Sequence, residues 1–275
     1  MLNLYLKLYI YIMLKFRKYN LKNNNIPQNN KRPNCVNKIK EISLIEFKNQ
    51  VFNRRDAFLD SLREGNAYII KEAINKSKLI SLRERIHKFG MTTKESWHDT
   101  KEGIPDFHQI DDELKFFKQR KKAHTYHFFS WNKKDIEIYD LCTELLNLYA
   151  IINGNRENKF PFEITNPNVV NRLQVHHYPL GGGYMSQHKD PDTYTKTIAV
   201  IYMSKYGIDY ENGGLYFHDK NNKPHSIDCL VDIGDMVCAY PTITHGCKEI
   251  DLNKDFNWKS PNGRWLILFN TLPRN

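Results

Sequence analysis

The sequence predicts an α+β fold, a jelly-roll barrel in the C-terminal half preceded by a helical N-terminal half. Three observations predict it. From about Val169 onward the chain breaks into about eight short apolar runs at regular spacing, a barrel or sandwich signature. Upstream, the apolar residues instead recur at helical spacing. No internal repeat runs across either half, so a solenoid or propeller is excluded.

Taken in order, residues 1–40 read as a basic tail. The apolar stretch 1–16 is interrupted by Lys7 and falls short of the roughly 20 residues a membrane span needs. It lacks a basic leader and a small-residue cleavage site, which weighs against a signal peptide. Arg17 and Lys18 leave interfacial membrane contact through residues 1–18 as a minor alternative to a disordered extension. Asn20–Asn37 has a linker composition, rich in Asn, Lys and Pro. Order is expected from Ser43, where Ser43-Leu-Ile-Glu46 forms a capping box. Phe47, Val51, Phe58, Leu59 and Leu62 then keep a helical period until Gly65 stops it. A short strand is expected over Ala67–Lys71 and a second helix over Glu72–Phe89, closed by Gly90.

Residues 91–134 show no clean period and are expected to form an irregular segment carrying lid and substrate contacts. The segment holds Trp97, His98, His108, the basic run Lys118–Lys122 and the aromatic stretch His124–Trp131. His124 and His127 stand at HxxH spacing, but nothing around them supports a second metal, and core packing or surface roles are expected. Asp135–Asn153 is the clearest helix, with Ile138, Leu141, Leu145, Leu148 and Ile152 on one face and Gly154 as its C-cap. Strands are expected near 170–178, 184–190, 196–203, 214–218, 226–231, 235–240, 245–250 and 264–271. The domain reading is a tail at 1–40 and one domain at 41–275, its part 41–165 mainly helical support and lid and its part 166–275 the barrel.

The net charge of +10 suggests nucleic acid until it is located. Residues 1–40 carry nine Lys or Arg and no acid, which leaves the rest of the chain near neutrality. A basic, aromatic-lined groove for nucleic acid is therefore not expected on the folded body. The five cysteines are odd in number and show no CxxC, as expected of reduced thiols in a cytoplasmic protein.

The chemistry centres on Asn171–Asp190, NRLQVHHYPLGGGYMSQHKD. A strand, a glycine turn and a second strand would deliver His188 and Asp190, whose two-residue spacing puts both on one side of the sheet. Two His and one carboxylate on one face of an octahedron, with the rest open, describe a non-haem Fe(II) oxygenase site. The pair therefore asks for a second His. His245 supplies it, at the end of an apolar run that starts from the Gly234-Asp235 turn. Further on, Gly263-Arg264 opens a last strand-like run to Asn270. Singly, each of these has an ordinary structural role; the ordered set is far more specific.

Together these residues resemble the 2-oxoglutarate- and Fe(II)-dependent dioxygenase superfamily over about residues 170–272. The style is nearest the prolyl-hydroxylase-like branch, through Tyr178-Pro179, Gly181–Gly183 and Tyr184 ahead of His188. The resemblance implies a double-stranded β-helix (cupin-like) core. It implies His188, Asp190 and His245 as iron ligands and as the catalytic centre. Arg264 would grip the distal carboxylate of 2-oxoglutarate bidentately, and Tyr178 and Tyr202 would face that co-substrate, Tyr202 the more so. O2 would complete the set, with succinate and CO2 released. The gap from His245 to Arg264 is longer than usual in the family, so the polar segment Asp251–Asn262 is expected as an inserted loop. Arg172 or Arg274 would substitute for Arg264, although both read more readily as surface charges. With Asp190 present, hydroxylation is favoured over halogenation.

The expected substrate is a small polar metabolite, an amino acid or sugar derivative, with Gln174 and His176 on the first barrel strand as substrate contacts. A peptidyl, prolyl-type hydroxylase is the alternative and would need an open groove. Nucleic-acid demethylation comes third, with only Lys118–Trp131 offering a basic, aromatic stretch, and a non-catalytic binding module of the same fold is a further alternative, against which the intact triad argues.

Overall fold

The computed structural model describes residues 32–95, 98–99, 101–112, 120–132, 137–154 and 169–273. The tail at 1–31 with its apolar stretch, Trp97, Lys118 and Arg274 lie outside the described residues. One compact unit spans Arg32–Asn275.

Eight antiparallel strands form the barrel: β5 (Val169–Pro179), β6 (Gly183–His188), β7 (Ile198–Tyr202), β8 (Gly214–His218), β9 (Pro224–Ser226), β10 (Met236–Ala239), β11 (His245–Ile250) and β12 (Gly263–Pro273). Their pairing orders them β10-β7-β12-β5 in one ladder and β6-β11-β8-β9 in the other. Successive strands alternate between two four-stranded layers except β8 and β9, which pair within the second layer, and this is the jelly-roll connection. The sheet grows beyond the barrel at one edge through β2 (Asn66–Lys71) and β1 (Lys38–Ser43), a parallel pair. At the other edge β4 (Lys121–Phe129) pairs with both β5 and β6 and so joins the two layers, with β3 (Phe107–Asp112) alongside it.

The N-terminal half is therefore not helical but mixed. Four helices, α1 (Leu44–Asn53), α2 (Arg55–Arg63), α3 (Lys76–Thr92) and α4 (Ile138–Ile152), share it with β1 to β4. The segment expected to be irregular supplies β3 and β4. Its strands hid because β4 is buried on both faces from Ala123 to Phe129, so it lacks the alternation that marks a half-exposed strand. Regular structure also begins before Ser43, since β1 pairs residue by residue with β2. The first helical run is two helices, broken at Arg54, where φ is −141°. The expected strand at 226–231 is β9 followed by a 3-10 turn at Asp228–Leu230, and that turn carries an aspartate into the core.

The helices brace one layer of the barrel. On α3, Leu79, Leu82 and Ile86 are fully buried, each worth about 1.5–3 kcal/mol. Gly90 sits inside α3 rather than closing it, because a Cβ there would stand 2.6 Å from the Tyr126 hydroxyl of β4. Helices α1 and α4 cover β7 and β10 through Phe47, Leu145, Tyr149 and Ile152. Beneath α3 an aromatic and imidazole layer forms the outer face of the sheet, with His177 stacked on Trp265 at 4.0 Å. The opposite faces of β5 and β12 turn inward and line a cavity. Among the described residues no helix is long and apolar enough to cross a membrane.

Candidate active site

Three ligand-type side chains converge where the second layer meets the cavity. His188 ends β6 and His245 starts β11, and the two are cross-strand partners, so their side chains lie side by side. Their ring centroids are 4.2 Å apart. Asp190, just past β6, is held by its backbone N–H donating to the Pro241 carbonyl at 3.0 Å. Its carboxylate oxygens lie 3.6 Å from Nε2 of His188 and 3.6 Å from Nε2 of His245. All three ligand atoms fall within 4.8 Å of one another.

The protons of the two imidazoles settle what this cluster can do. Nδ1 of His188 lies 2.8 Å from the Ser186 carbonyl, and Nδ1 of His245 lies 2.8 Å from the Ile243 carbonyl. A carbonyl only accepts, so each Nδ1 carries a proton and Nε2 is the ring atom turned toward the cluster. Burial, and after it the neighbouring His188, pushes the His245 imidazole down to about 4, keeping it neutral. Two imidazole Nε2 atoms and a carboxylate then face one another, an arrangement that a cation satisfies. Among the described residues this is the one group of His, Cys, Asp or Glu side chains so arranged. The donor set fits Fe(II) in a two-histidine, one-carboxylate site.

The cavity beside the triad has a volume of about 530 Å³. Its walls carry apolar Ile198, Val200, Leu266 and Leu268 and, at one end, Arg264 with Tyr178. Arg264 is 1% exposed, and the edge expected to grip a co-substrate is already taken. Nε and Nη2 donate to the two Asp228 oxygens at 2.5 and 3.0 Å, while Asp228 is 0% exposed. Tyr202 and Tyr210 donate to the same carboxylate at 2.7 and 2.6 Å, so Asp228 accepts four hydrogen bonds. The bidentate partner of Arg264 is thus a protein carboxylate, and only Nη1 is left for a ligand.

The two tyrosines separate. Tyr178 lines the cavity, its hydroxyl 2.9 Å from Nδ1 of His176. Tyr202 points inward as expected, but its hydroxyl is consumed by Asp228 and receives Nη2 of Arg264 at 3.3 Å. Gln174 and His176 both line the cavity. Arg172, read as a surface charge, lines it too. It shares the inward face of β5 with Gln174, His176 and Tyr178 because these residues alternate along one strand. His124 is a core residue, bonded to His108 and to the Trp258 carbonyl, and His127 is stacked on Phe107 at 4.0 Å. The polar stretch before β12 is a loop, and its Trp258 covers His124.

Sequence reasoning missed Asp228 and Tyr210. No local signal marks them, since Asp228 meets Arg264 across 36 residues of chain. The one hint is the glycine pair before β8. Gly214 has φ +99°, and a Cβ there would come 2.0 Å from Oδ2 of Asp228.

No family model matches the chain, and no curated protein matches it. Solved structures are similar to it at low identity. A full-length Neurospora crassa protein, solved in complex with alpha-KG and 5-formyluracil, has a TM-score of 0.49 and 14% identity, covering 85% of this chain and 84% of that one. A Trichoplax adhaerens prolyl hydroxylase, in complex with a hypoxia inducible factor peptide fragment, has a TM-score of 0.49 and 12% identity, covering 82% and 91%. A Pseudomonas putida prolyl-4-hydroxylase has a TM-score of 0.48 and 12% identity, covering 79% and 97%. Likeness at this level says nothing of substrate or activity, and the functional reading rests on the side chains described above.

Proposed function

We propose that the chain is an Fe(II)- and 2-oxoglutarate-dependent oxygenase that hydroxylates a C–H bond of a small polar metabolite. The observation that carries this reading is the meeting of three ligand atoms within 4.8 Å of one another at the wall of a cavity. His188, Asp190 and His245 would hold the iron. Bound together, iron and 2-oxoglutarate supply O2 activation coupled to oxidative decarboxylation, with succinate and CO2 released.

The chain's own residues do the rest. The Ser186 and Ile243 carbonyls hold the Nδ1 protons and so keep both Nε2 atoms available. Asp228 fixes the guanidinium of Arg264, whose Nη1 would meet the distal carboxylate of 2-oxoglutarate as a single-nitrogen contact. Ile198, Val200, Leu266 and Leu268 exclude water from the reacting end. A cavity of about 530 Å³ suits a metabolite-sized ligand better than a peptide. Cys35, Cys142, Cys229, Cys238 and Cys247 are all free thiols, which suits a reducing, cytoplasmic setting for ferrous iron.

The test is succinate release from 2-oxoglutarate by protein loaded anaerobically with Fe(II) and then exposed to O2, alongside calorimetric Fe(II) binding. Wild type should bind Fe(II) and turn over slowly without primary substrate. His188→Ala should lose both by at least tenfold. Wild type binding neither Fe(II) nor 2-oxoglutarate would overturn the reading.

A further inference from the structure

The cavity has a second cationic group besides Arg264. Arg172 reaches it from β5, where the β5–β12 register sets Arg172 opposite Asn270 and Tyr178 opposite Arg264. Six residues of strand separate the two ends, roughly 20 Å. Strand β6 starts at Gly183, after the turn that follows Tyr178, and climbs the other layer to His188. The triad therefore stands between the two cationic ends.

The surroundings of Arg172 differ from those of every other cation in the cavity. Lys121 is paired with Asp111 at 2.7 Å, and Arg264 is paired with Asp228. Among the described residues no carboxylate lies within ion-pair distance of Arg172, and its buried Nε has no hydrogen-bond partner at all. Its one side-chain hydrogen bond among those residues runs from Nη2 to the Gln174 carbonyl oxygen, at 3.1 Å. Asn270 donates to that same oxygen at 2.7 Å, so the Gln174 amide is pinned with its NH2 group left free to donate. Burial pushes the guanidinium down to about 10, and the Tyr139 hydroxyl offsets this only in part. A largely buried charge with no counter-charge beside it is costly unless something neutralises it. An arginine in that condition, beside a pinned amide donor and open to a cavity, is built to receive an oxyanion.

We infer that Arg172 and Gln174 bind a carboxylate of the primary substrate, which makes that substrate a small organic acid held at the end of the cavity remote from Arg264. This rests on the oxygenase reading for the identity of the other ligand. Arg264, the contact for 2-oxoglutarate in that reading, is fixed on Asp228 six strand residues away, so the anion at Arg172 is taken as a second molecule.

The test uses acetate as the probe, with acetamide as its neutral counterpart and inorganic phosphate as a second oxyanion, all at matched ionic strength. Binding to the full-length protein is read by thermal shift and calorimetry. Calorimetry with 2-oxoglutarate on metal-loaded protein runs in parallel. Acetate should bind wild type and acetamide should not. Arg172→Met should weaken acetate by at least tenfold while the 2-oxoglutarate Kd stays within twofold. Gln174→Glu places a carboxylate beside Arg172 and guards against a variant that fails to fold. It should raise Tm and abolish acetate binding. Acetamide binding as well as acetate, acetate affinity unchanged in both variants, or phosphate bound while acetate is not would each overturn the assignment. So would loss of 2-oxoglutarate binding in Arg172→Met, which would give Arg172 to the co-substrate. If wild type binds acetate through Arg172 but neither Fe(II) nor 2-oxoglutarate, the oxygenase reading fails and the anion site stands.

Discussion

Asp228→Asn is the sharpest perturbation the structure offers, because it changes one atom in a fully satisfied buried network. The carboxylate accepts four hydrogen bonds, from Arg264 Nε and Nη2 and from the Tyr202 and Tyr210 hydroxyls. An amide in its place turns one acceptor oxygen into a donor facing donors, and it leaves the Arg264 charge buried without a counter-charge. Removing one partner of a buried pair costs about 3–5 kcal/mol, a large share of the roughly 5–15 kcal/mol that holds a domain together. For a chain of this size that loss corresponds to a Tm lower by about 10 °C or more. Urea denaturation of wild type and variant measures it. Tyr210→Phe is the graded control, since it removes a single hydrogen bond to a charged group and should cost about 1.5–3 kcal/mol. The double variant Asp228→Asn/Arg264→Met should recover part of the loss by removing the stranded charge. A loss below about 1 kcal/mol for Asp228→Asn, with no recovery in the double variant, would refute the argument that this pair is the fixed end of the cavity.

Two further outcomes follow from the same packing. Gly214→Ala should be worse than Asp228→Asn, because its Cβ would collide with Asp228 at 2.0 Å and the backbone φ is +99°. Soluble expression and a normal melting curve for that variant would contradict the close approach. Acid should destabilise the fold through His108 and His124, both pushed down to about 4, mainly by burial. His124 donates from Nε2 to the Trp258 carbonyl at 2.8 Å, so its Nδ1 accepts from His108 Nε2 at 2.8 Å. Both rings are thus held neutral. The folded values lie below the ordinary 6.5, so the unfolded chain binds more protons between about 6.5 and 4 and stability falls as pH drops through that window. The shift corresponds to about 3 kcal/mol per histidine. His108→Phe should flatten the pH dependence of the urea midpoint between pH 7 and 4, and an unchanged slope would exclude this pair as its source.

How much of this was legible in the sequence follows from which contacts are local. His188 ends β6 and Asp190 follows two residues on in still-extended chain, so spacing alone put both side chains together. His245 was legible because the run that leads to it through β10 is largely apolar and because the motif demanded a partner. The glycine turns marked the barrel's corners for the same local reason. Strand β4 was not legible, because HTYHFF is buried on both faces and shows no alternation. Arg264 was legible as a residue and not as a geometry. A buried arginine must be neutralised, but the sequence does not say by what, and Asp228 sits in a run, 226–231, that reads as a strand rather than as the 3-10 turn it is. Arg172 was misjudged for the complementary reason. An arginine between Asn171 and Leu173 looks like the exposed member of an alternating strand, and only the pairing of β5 with β12 on one side and β4 on the other shows that its alternate face is the inside of the barrel. The same pairing sets one guanidinium at each end of a single cavity, the first neutralised by the protein and the second not. A barrel that satisfies one arginine internally and leaves its counterpart open directs its selectivity at the open one.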